Sequence, residues 1–434
     1  MIISQGLRKK LKQMPAWFIS VYAAICSFAV YFCMYIYRKP FTAAGFHGIK
    51  FLAVDYKVWL VSAQVIGYML GKFYGIKFIA GMNSEKRASA IIKLILSGWM
   101  ALLLFAVTPA PYNIIFFVVN GFPLGIIWGL VFGYVEGRRA TEFIGAVLCV
   151  NFIFSSGVAK SIGKLIVLNW HISETWMPFV AGGLFVLPLI IFTWLLNHTP
   201  PPSAKDIESR GVRKPMTAKD RSDFVAMFLP GIIIIISTYV LLTVLRDFRD
   251  NFANELWTEL GFGNQAAIFT TTEIPVSLIV LSCMSLLILV KNNIKAFMIN
   301  HYIIIGGYVI ALVSTLLFLN KSIGPVLWMT AIGTGLYLSY VPFNALYFER
   351  MIASYKVKSN VGFVIYIADS FGYLGSVLFM FLKNELGTGL SWTSFFTKAI
   401  LGISVVGIIG TMIAAAWFRK KYLSLQSSPQ TSYV

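Results

Sequence analysis

The stretch AWFISVYAAICSFAVYFCMYIYRK, residues 16–39, carries no charged side chain until Arg38. A helix of about 20 residues crosses the roughly 30 Å hydrocarbon core of a bilayer, so this run is long enough to span a membrane. It is too long for the core of a signal peptide and contains no small-residue cleavage site, so we predict a transmembrane helix that is retained. The residues before it include four basic ones, at Arg8, Lys9, Lys10 and Lys12.

Apolar runs of this kind recur along all 434 residues. Hydrophobic residues make up 58% of the chain and charged residues 12%, whereas an ordinary soluble domain has about 25% charged residues. The mean hydropathy is +0.77. These values exclude a soluble globular protein and predict an all-α membrane protein. Cut at their polar interruptions, the runs give twelve predicted spans, at 16–38, 58–80, 89–108, 112–135, 143–168, 174–197, 225–246, 266–290, 297–319, 324–348, 361–382 and 392–418.

The longest polar stretch, 198–224, holds three consecutive prolines and six basic residues. We predict that it is a cytoplasmic linker between two pseudo-symmetric six-helix bundles, 1–197 and 225–418, followed by a cytoplasmic tail, 419–434. This layout is typical of the major facilitator superfamily. The net charge of +19 comes mostly from Lys and Arg in short connections, so we assign it to orientation and expect no nucleic-acid partner. The expected location is the cell (inner) membrane, with multiple spans and both termini in the cytoplasm.

No residue pattern indicates an enzyme. The four cysteines lie in apolar runs without metal-ligand spacing, and the four histidines fall at or near predicted helix ends. There is no nucleophile elbow of the GxSxG type and no phosphate-binding loop. We therefore expect no catalysis, no metal and no cofactor.

Two arginines are the strongest candidates for a binding site. Arg38 and Arg246 stand at similar depths in the first predicted helix of each bundle, and pseudo-symmetry would place them on opposite walls of one cavity. The planar guanidinium matches a phosphate or carboxylate, so a small anionic solute is the expected ligand. The alternative is that each arginine extends to the lipid headgroups.

Other ionisable residues adjoin this candidate site. Lys39, Lys72 and Lys77 add positive charge to the first bundle. Glu273 and Asp369 are deeply placed acids that could balance charge, couple transport to protons, or form structural ion pairs.

The run from Arg246 to Asp250, at the outer end of the seventh predicted span, is dense in charge. Part of it could serve as a gate. We expect Lys160 and Lys164 to extend outward to the membrane surface.

The run Tyr37-Arg38-Lys39-Pro40-Phe41 resembles the Arg-Lys-x-Phe signature of the organophosphate:phosphate antiporter family, within the major facilitator superfamily. The histidine of the glycerol phosphate carriers in helix five is missing; the nearest stretch begins with Asn151. Weaker similarities to that family occur at residues 77–81 with 84–87, at Leu245-Arg246 and at 371–375.

The resemblance implies that Arg38 and Arg246 hold a phosphate group, that Lys77 contributes to the same pocket, and that Lys39 tunes it. It also implies that the first helix continues toward Phe46. The expected function is transport of an organic phosphate or phosphonate by alternating access, in exchange for inorganic phosphate, by a monomer in the bilayer. A membrane sensor of a phosphorylated ligand and a proton-coupled carboxylate symporter remain alternatives.

Overall fold

A computed structural model describes residues 5–136, 138, 140–202, 218–355, 357, 361–386 and 389–427. These residues are almost entirely helical, apart from a small antiparallel hairpin in which β1 (Lys50–Phe51) pairs with β2 (Val54–Asp55). The helices are α1 (Gln5–Lys12), α2 (Ala16–Ile36), α3 (Tyr56–Ala80), α4 (Ser84–Val107), α5 (Ile115–Phe132), α6 (Thr141–Trp170), α7 (Met177–Leu184), α8 (Val186–Asn197), α9 (Ala218–Asn251), α10 (Ala253–Glu259), α11 (Ile268–Ile288), α12 (Asn293–Leu319), α13 (Pro325–Pro342), α14 (Phe348–Tyr355), α15 (Val361–Leu386) and α16 (Trp392–Ser427).

Each of the twelve predicted spans falls on one of these helices or on a consecutive pair. Within the described residues, nine helical spans are long and apolar enough to cross a membrane, or ten when α7 and α8 are counted together. Helix α3 falls short because Gln64 and Lys72 lower its hydropathy. The span predicted at 174–197 is not one straight helix, since α7 and α8 meet at a bend of 45°.

The first long helix ends earlier than the resemblance implied. Helix α2 stops at Ile36, and the expectation that it continues to Phe46 is wrong. Pro40 has no N–H to give to a helix and disfavours helical geometry in the residue before it. Residues Pro40–Ala43 form a short 3-10 turn instead. Arg38 therefore lies in a turn that follows α2, and so does its neighbour Lys39.

The predicted linker and tail are only partly described. Helix α9 begins at Ala218, so the last part of the predicted linker is helical. Residues 203–217 lie outside the described residues. Helix α16 runs through Ser427, so the tail begins as a continuation of the last helix, and residues 428–434 are outside the described part.

The chain divides into two compact units. The first unit comprises Met1–Gly211, Asp247–Leu281 and Val377–Phe395, and the second comprises Val212–Arg246, Ser282–Ser376 and Phe396–Val434. The four long helices α9, α11, α15 and α16 each pass from one unit into the other. The division into two six-helix bundles at 1–197 and 225–418 stays a prediction.

Glycines determine how closely α3 and α5 approach in the first unit. A side chain at Gly71 would overlap the carbonyl oxygen of Phe122, and one at Gly125 would overlap that of Tyr68. Small residues every fourth position allow helix backbones to approach this closely in a membrane. The same pattern continues at Gly67 and Gly121. Helix α5 therefore fixes the position of α3 at Tyr68.

The second unit has a similar close pair, α12 and α13. A side chain at Gly307 or at Gly335 would overlap the backbone of the other helix. The ring of Tyr308 packs over Gly407 of α16, and its hydroxyl donates a hydrogen bond of 2.9 Å to the carbonyl oxygen of Thr238 on α9. These contacts join α9, α12, α13 and α16 within this unit.

Candidate functional site

In the first unit, the guanidinium of Arg38 lies over an aromatic ring. Its guanidinium carbon Cζ is 3.8 Å from the centre of the Tyr68 ring, a distance at which a cation is attracted to the ring face. The Nζ of Lys72 lies 5.5 Å from the same ring centre. The hydroxyl of Tyr68 is 3.3 Å from that of Tyr31 on α2. The structure therefore brings Arg38 and Lys72, both predicted site residues, together around one tyrosine.

Two buried amides hold the turn that carries Arg38. Gln64 on α3 donates to the carbonyl oxygen of Arg38 at 3.0 Å, and Asn120 on α5 donates to that of Tyr37 at 3.1 Å. Gln64 also donates to Asn120 at 2.8 Å. The last carbonyls of a helix lack partners within the helix, so these amides satisfy groups that the end of α2 leaves open. The backbone of Arg38 is thereby fixed to α3 and α5.

In the second unit, Arg246 is placed in the same manner. Its Cζ lies 3.7 Å from the centre of the Tyr340 ring. The hydroxyl of Tyr239 lies 3.2 Å from that of Tyr340 and donates a hydrogen bond of 2.5 Å to Asp369 Oδ1. Tyr239, Tyr340 and Asp369 are buried, whereas Arg246 is half-buried. Asp369, a predicted charge-balancing residue, thus belongs to the network around Arg246.

The two arginine clusters share a sequence pattern that our reading of the chain missed. Tyr31 precedes Arg38 by seven positions, and Tyr239 precedes Arg246 by seven positions. In each unit this tyrosine contacts, through its hydroxyl, the tyrosine on which the arginine lies. The partner tyrosine comes from α3 in one unit and from α13 in the other. A search for equal Tyr to Arg spacing in the two predicted first helices would have found the pair.

The remaining predicted site residues lie elsewhere. Lys77 is exposed in the last turn of α3. Lys39 is buried, with its Nζ 2.5 Å from Asp250 Oδ2. Glu273 is buried and accepts a hydrogen bond of 2.7 Å from Arg249. That Arg38 and Arg246 bind one anion together stays a prediction.

A layer of buried ion pairs in the first unit joins the end of α9 and the helix α10 to earlier helices. Lys160 was expected to extend outward, and this is wrong, because it is 1% exposed and lies 2.6 Å from Asp250. The carboxylate of Asp250 draws the lysine inward, since a buried charge needs a partner. Lys164 was also expected to extend outward. Its side chain is partly buried, and its Nζ donates a hydrogen bond of 2.9 Å to Asn254.

The second pair of this layer is Lys57 with Glu255. The Nζ of Lys57 donates to both carboxylate oxygens of Glu255 at 2.7 Å and to the carbonyl oxygen of Thr42. Burial raises the pKa of the Glu255 carboxyl above its ordinary value, and Lys57 opposes that rise. This layer holds Asp250 and Glu255 in α9 and α10 against cations of the turn after α2, of α3 and of α6.

The chain is similar in structure to solved transporters of the major facilitator fold. A bacterial homologue of the human lysosomal transporter Spinster, in an inward-facing and unoccupied conformation, matches with a TM-score of 0.60 and 12% identity over 95% of this chain and 99% of that chain. A variant of the nucleoside transporter NupG matches with a TM-score of 0.60 and 12% identity over 93% of this chain and 99% of that chain. A D-xylose–proton symporter matches with a TM-score of 0.61 and 14% identity over 91% of this chain and 96% of that chain. At these identities the likeness establishes the fold, an all-α membrane protein of the major facilitator type.

Among curated proteins, no sequence matches this chain. A family match does cover most of it, from Pro40 in the turn of the first arginine cluster to Lys421 near the end of α16. Since residues 40–421 match it, the protein belongs to DUF5690, a family of unknown function.

Proposed function

We propose that the protein is a secondary transporter that moves a small anionic solute, an organic phosphate or phosphonate, across the membrane by alternating access. The observation that carries this proposal is the repeated arginine cluster, in which Arg38 lies over Tyr68 and Arg246 lies over Tyr340. The similar structures carry names of transporters for different solutes. The fold therefore supports transport, and the residues of the site determine which solute is bound.

The stacking determines what each arginine can bind. A guanidinium that lies over a tyrosine ring keeps its N–H groups directed outward in its own plane. There they can donate two parallel hydrogen bonds to one oxyanion. Lys72 adds a second cation beside Arg38. Two cations beside one tyrosine make the surroundings of Arg38 favourable for an anion.

The same charge supports exchange. An anion bound at an arginine cluster would lower the free energy of the intermediate between the inward and outward states, so the loaded carrier would reorient faster than the empty one. The transporter would then exchange one anion for another, with inorganic phosphate as the counter-substrate. We further propose that both termini and the predicted linker face the cytoplasm, as the basic connections indicate.

The test is anion exchange by the purified chain in liposomes loaded with inorganic phosphate. We expect labelled phosphate to exchange with phosphonates or sugar phosphates, and Arg38→Gln or Arg246→Gln to reduce the rate at least tenfold. Arg419→Gln, at an exposed arginine of α16, is the matched control and should behave as the wild type. Full exchange activity in either site variant, or no exchange with any anion of the panel, would refute the proposal.

A second candidate is proton-coupled transport of a carboxylate, because the buried Asp369 accepts a hydrogen bond from Tyr239 in the cluster around Arg246. It predicts that a pH gradient drives uptake and that Asp369→Asn abolishes this dependence. Exchange that is indifferent to the gradient in the wild type would exclude it. Glu273 is a weaker coupling candidate, since Arg249 already binds it.

A further inference from the structure

We propose that Lys39, Ser156 and Lys160 form a second anion-binding site, which Asp250 occupies in this conformation and which the transported anion enters when Asp250 withdraws. We name these three residues the cradle. The inference rests on the proposed function in so far as the ligand is an anion that the protein carries.

The cradle has the chemistry of an oxyanion site. The Nζ of Lys39 lies 2.5 Å from Asp250 Oδ2, and the Nζ of Lys160 lies 2.6 Å from Oδ1. Ser156 donates a third hydrogen bond, of 2.6 Å, to Oδ1. Counted as whole residues, all four are more than nine-tenths buried. Two ammonium groups and a hydroxyl therefore converge on one carboxylate, in a dry environment where charge-assisted bonds are strong.

The charges of the cradle do not balance. Within the part of the chain that the structure describes, Lys39 and Lys160 share Asp250 as their one carboxylate partner. The neighbouring Lys57 pairs with Glu255. A buried cation without its own counter-charge is costly. A phosphate monoester carries about −1.5 to −2 charges near pH 7, so it would compensate the two lysines better than one carboxylate does.

The three donors lie on elements that pack on one another, whereas the acceptor Asp250 lies on a different helix. Lys160 and Ser156 lie on α6, and Lys39 lies in the turn after α2. That turn is docked on α6 at Gly163, where an added side-chain carbon would lie 2.8 Å from the carbonyl oxygen of Pro40. Asp250 instead comes from the last turn of the 34-residue α9. If α9 moves away, the carboxylate leaves and the three donors stay in place.

Asp250 then acts as a tethered competitor of the anion. While it occupies the cradle, its carboxylate blocks the three donors from a free anion. When it withdraws, the two lysines would be left uncompensated, so an anion from solution is drawn to them. A simple latch between helices would also contain ion pairs, but it would not bind an anion after its carboxylate is removed.

The experiment compares two carboxylate removals in the purified full chain, with inorganic phosphate as the probe and ionic strength held constant with chloride. Asp250→Asn removes the negative charge from a site with two lysines, and the matched Glu255→Gln removes it from one with a single lysine. Thermal stabilisation by phosphate reports binding to the native state. We expect phosphate to bind about tenfold more tightly to Asp250→Asn than to the wild type, and Glu255→Gln to change little.

Adding Lys160→Gln to Asp250→Asn should remove the gain. The inference is overturned if both carboxylate variants gain equally, or if the gain survives loss of Lys160. A gain that persists in an Arg246→Gln background supports the cradle whether or not the proposed transport site is correct. A gain that disappears there, with no dependence on Lys160, would instead assign all binding to the arginine clusters and refute the cradle.

A second comparison does not need the folding of Asp250→Asn. Lys160→Gln leaves the pair of Lys39 and Asp250 intact, and Lys164→Gln changes a lysine on the same helix whose partner is the amide of Asn254. In phosphate exchange by proteoliposomes, we expect Lys160→Gln to raise the half-saturating phosphate concentration several-fold. Lys164→Gln should have no such effect. Equal kinetics of the two variants would reject the cradle.

Discussion

Asn120 offers the sharpest test of how the fold positions the first arginine cluster. Its side chain is fully buried on α5 and makes three hydrogen bonds. It donates to the carbonyl oxygens of Tyr37 and Gly98 at 3.1 and 2.9 Å, and it accepts from Gln64 at 2.8 Å. The variant Asn120→Ala removes all three and frees the turn that carries Arg38.

The expected loss of stability follows from those bonds. A hydrogen bond between membrane helices contributes about 0.6 kcal/mol on average, and a neutral bond in a soluble core up to about 1.5 kcal/mol. Three bonds therefore give about 2–4.5 kcal/mol. If the freed turn lets Arg38 lose one charge-assisted bond to the anion, affinity should fall about tenfold, equivalent to about 1.4 kcal/mol.

A second asparagine serves as the control that separates a loss of stability from a displacement of Arg38. Asn113 is equally buried and bonds to Tyr56 and to the carbonyl oxygen of Phe105, but it does not contact the turn of Arg38. Unfolding free energies in mixed micelles and phosphate affinities would be measured for Asn113→Ala and Asn120→Ala. Both variants should lose stability, and only Asn120→Ala should bind phosphate more weakly. An unchanged phosphate affinity in a destabilised Asn120→Ala would refute the reasoning that this amide positions Arg38.

Three further predictions concern packing, the ion-pair layer and the stacked tyrosine. Gly71→Leu should prevent the close approach of α3 and α5 and abolish folded protein in size-exclusion chromatography, whereas Gly75→Ala, whose added carbon meets its nearest neighbour at 3.6 Å, should be tolerated. Glu255→Leu should lower the unfolding free energy by about 3–5 kcal/mol by leaving Lys57 buried and unpaired, and the double change with Lys57→Leu should recover much of that loss. Tyr68→Leu should weaken phosphate binding several-fold because Arg38 loses its ring, while Tyr68→Phe should retain it; equal binding by these two variants would argue against the stacking.

The sequence predicts the helices of this protein well because a bilayer imposes a length on every apolar run. It predicts their ends less well. The end of α2 at Ile36 depends on Pro40, a local signal that was available, but the similarity to another family outweighed it. The bend between α7 and α8 has a comparable signal in Pro188, four residues after the end of α7 at Leu184, which hydropathy alone does not register.

The candidate site shows the same limit more clearly. Hydropathy and depth are sufficient to select Arg38 and Arg246, because charge in an apolar run is rare. They treat each residue separately, so they placed Lys160 at the surface, although Asp250, 90 positions later, holds it in the interior. Contacts between distant positions, such as Arg38 with Tyr68, depend on how α2 packs on α3 and cannot be read from either run alone.

The arginine cluster and the cradle meet at two consecutive residues. Arg38 lies over Tyr68, and Lys39 pairs with Asp250. Consecutive Cα atoms are about 3.8 Å apart, so the two sites share one short turn of backbone. The turn that carries both is fixed from one side by Gln64 and from the other by its contact with Gly163. Asn120→Ala removes contacts on the Gln64 side only, so we expect it to weaken binding at Arg38 while the contact at Gly163 keeps Lys39 in the ion-pair layer.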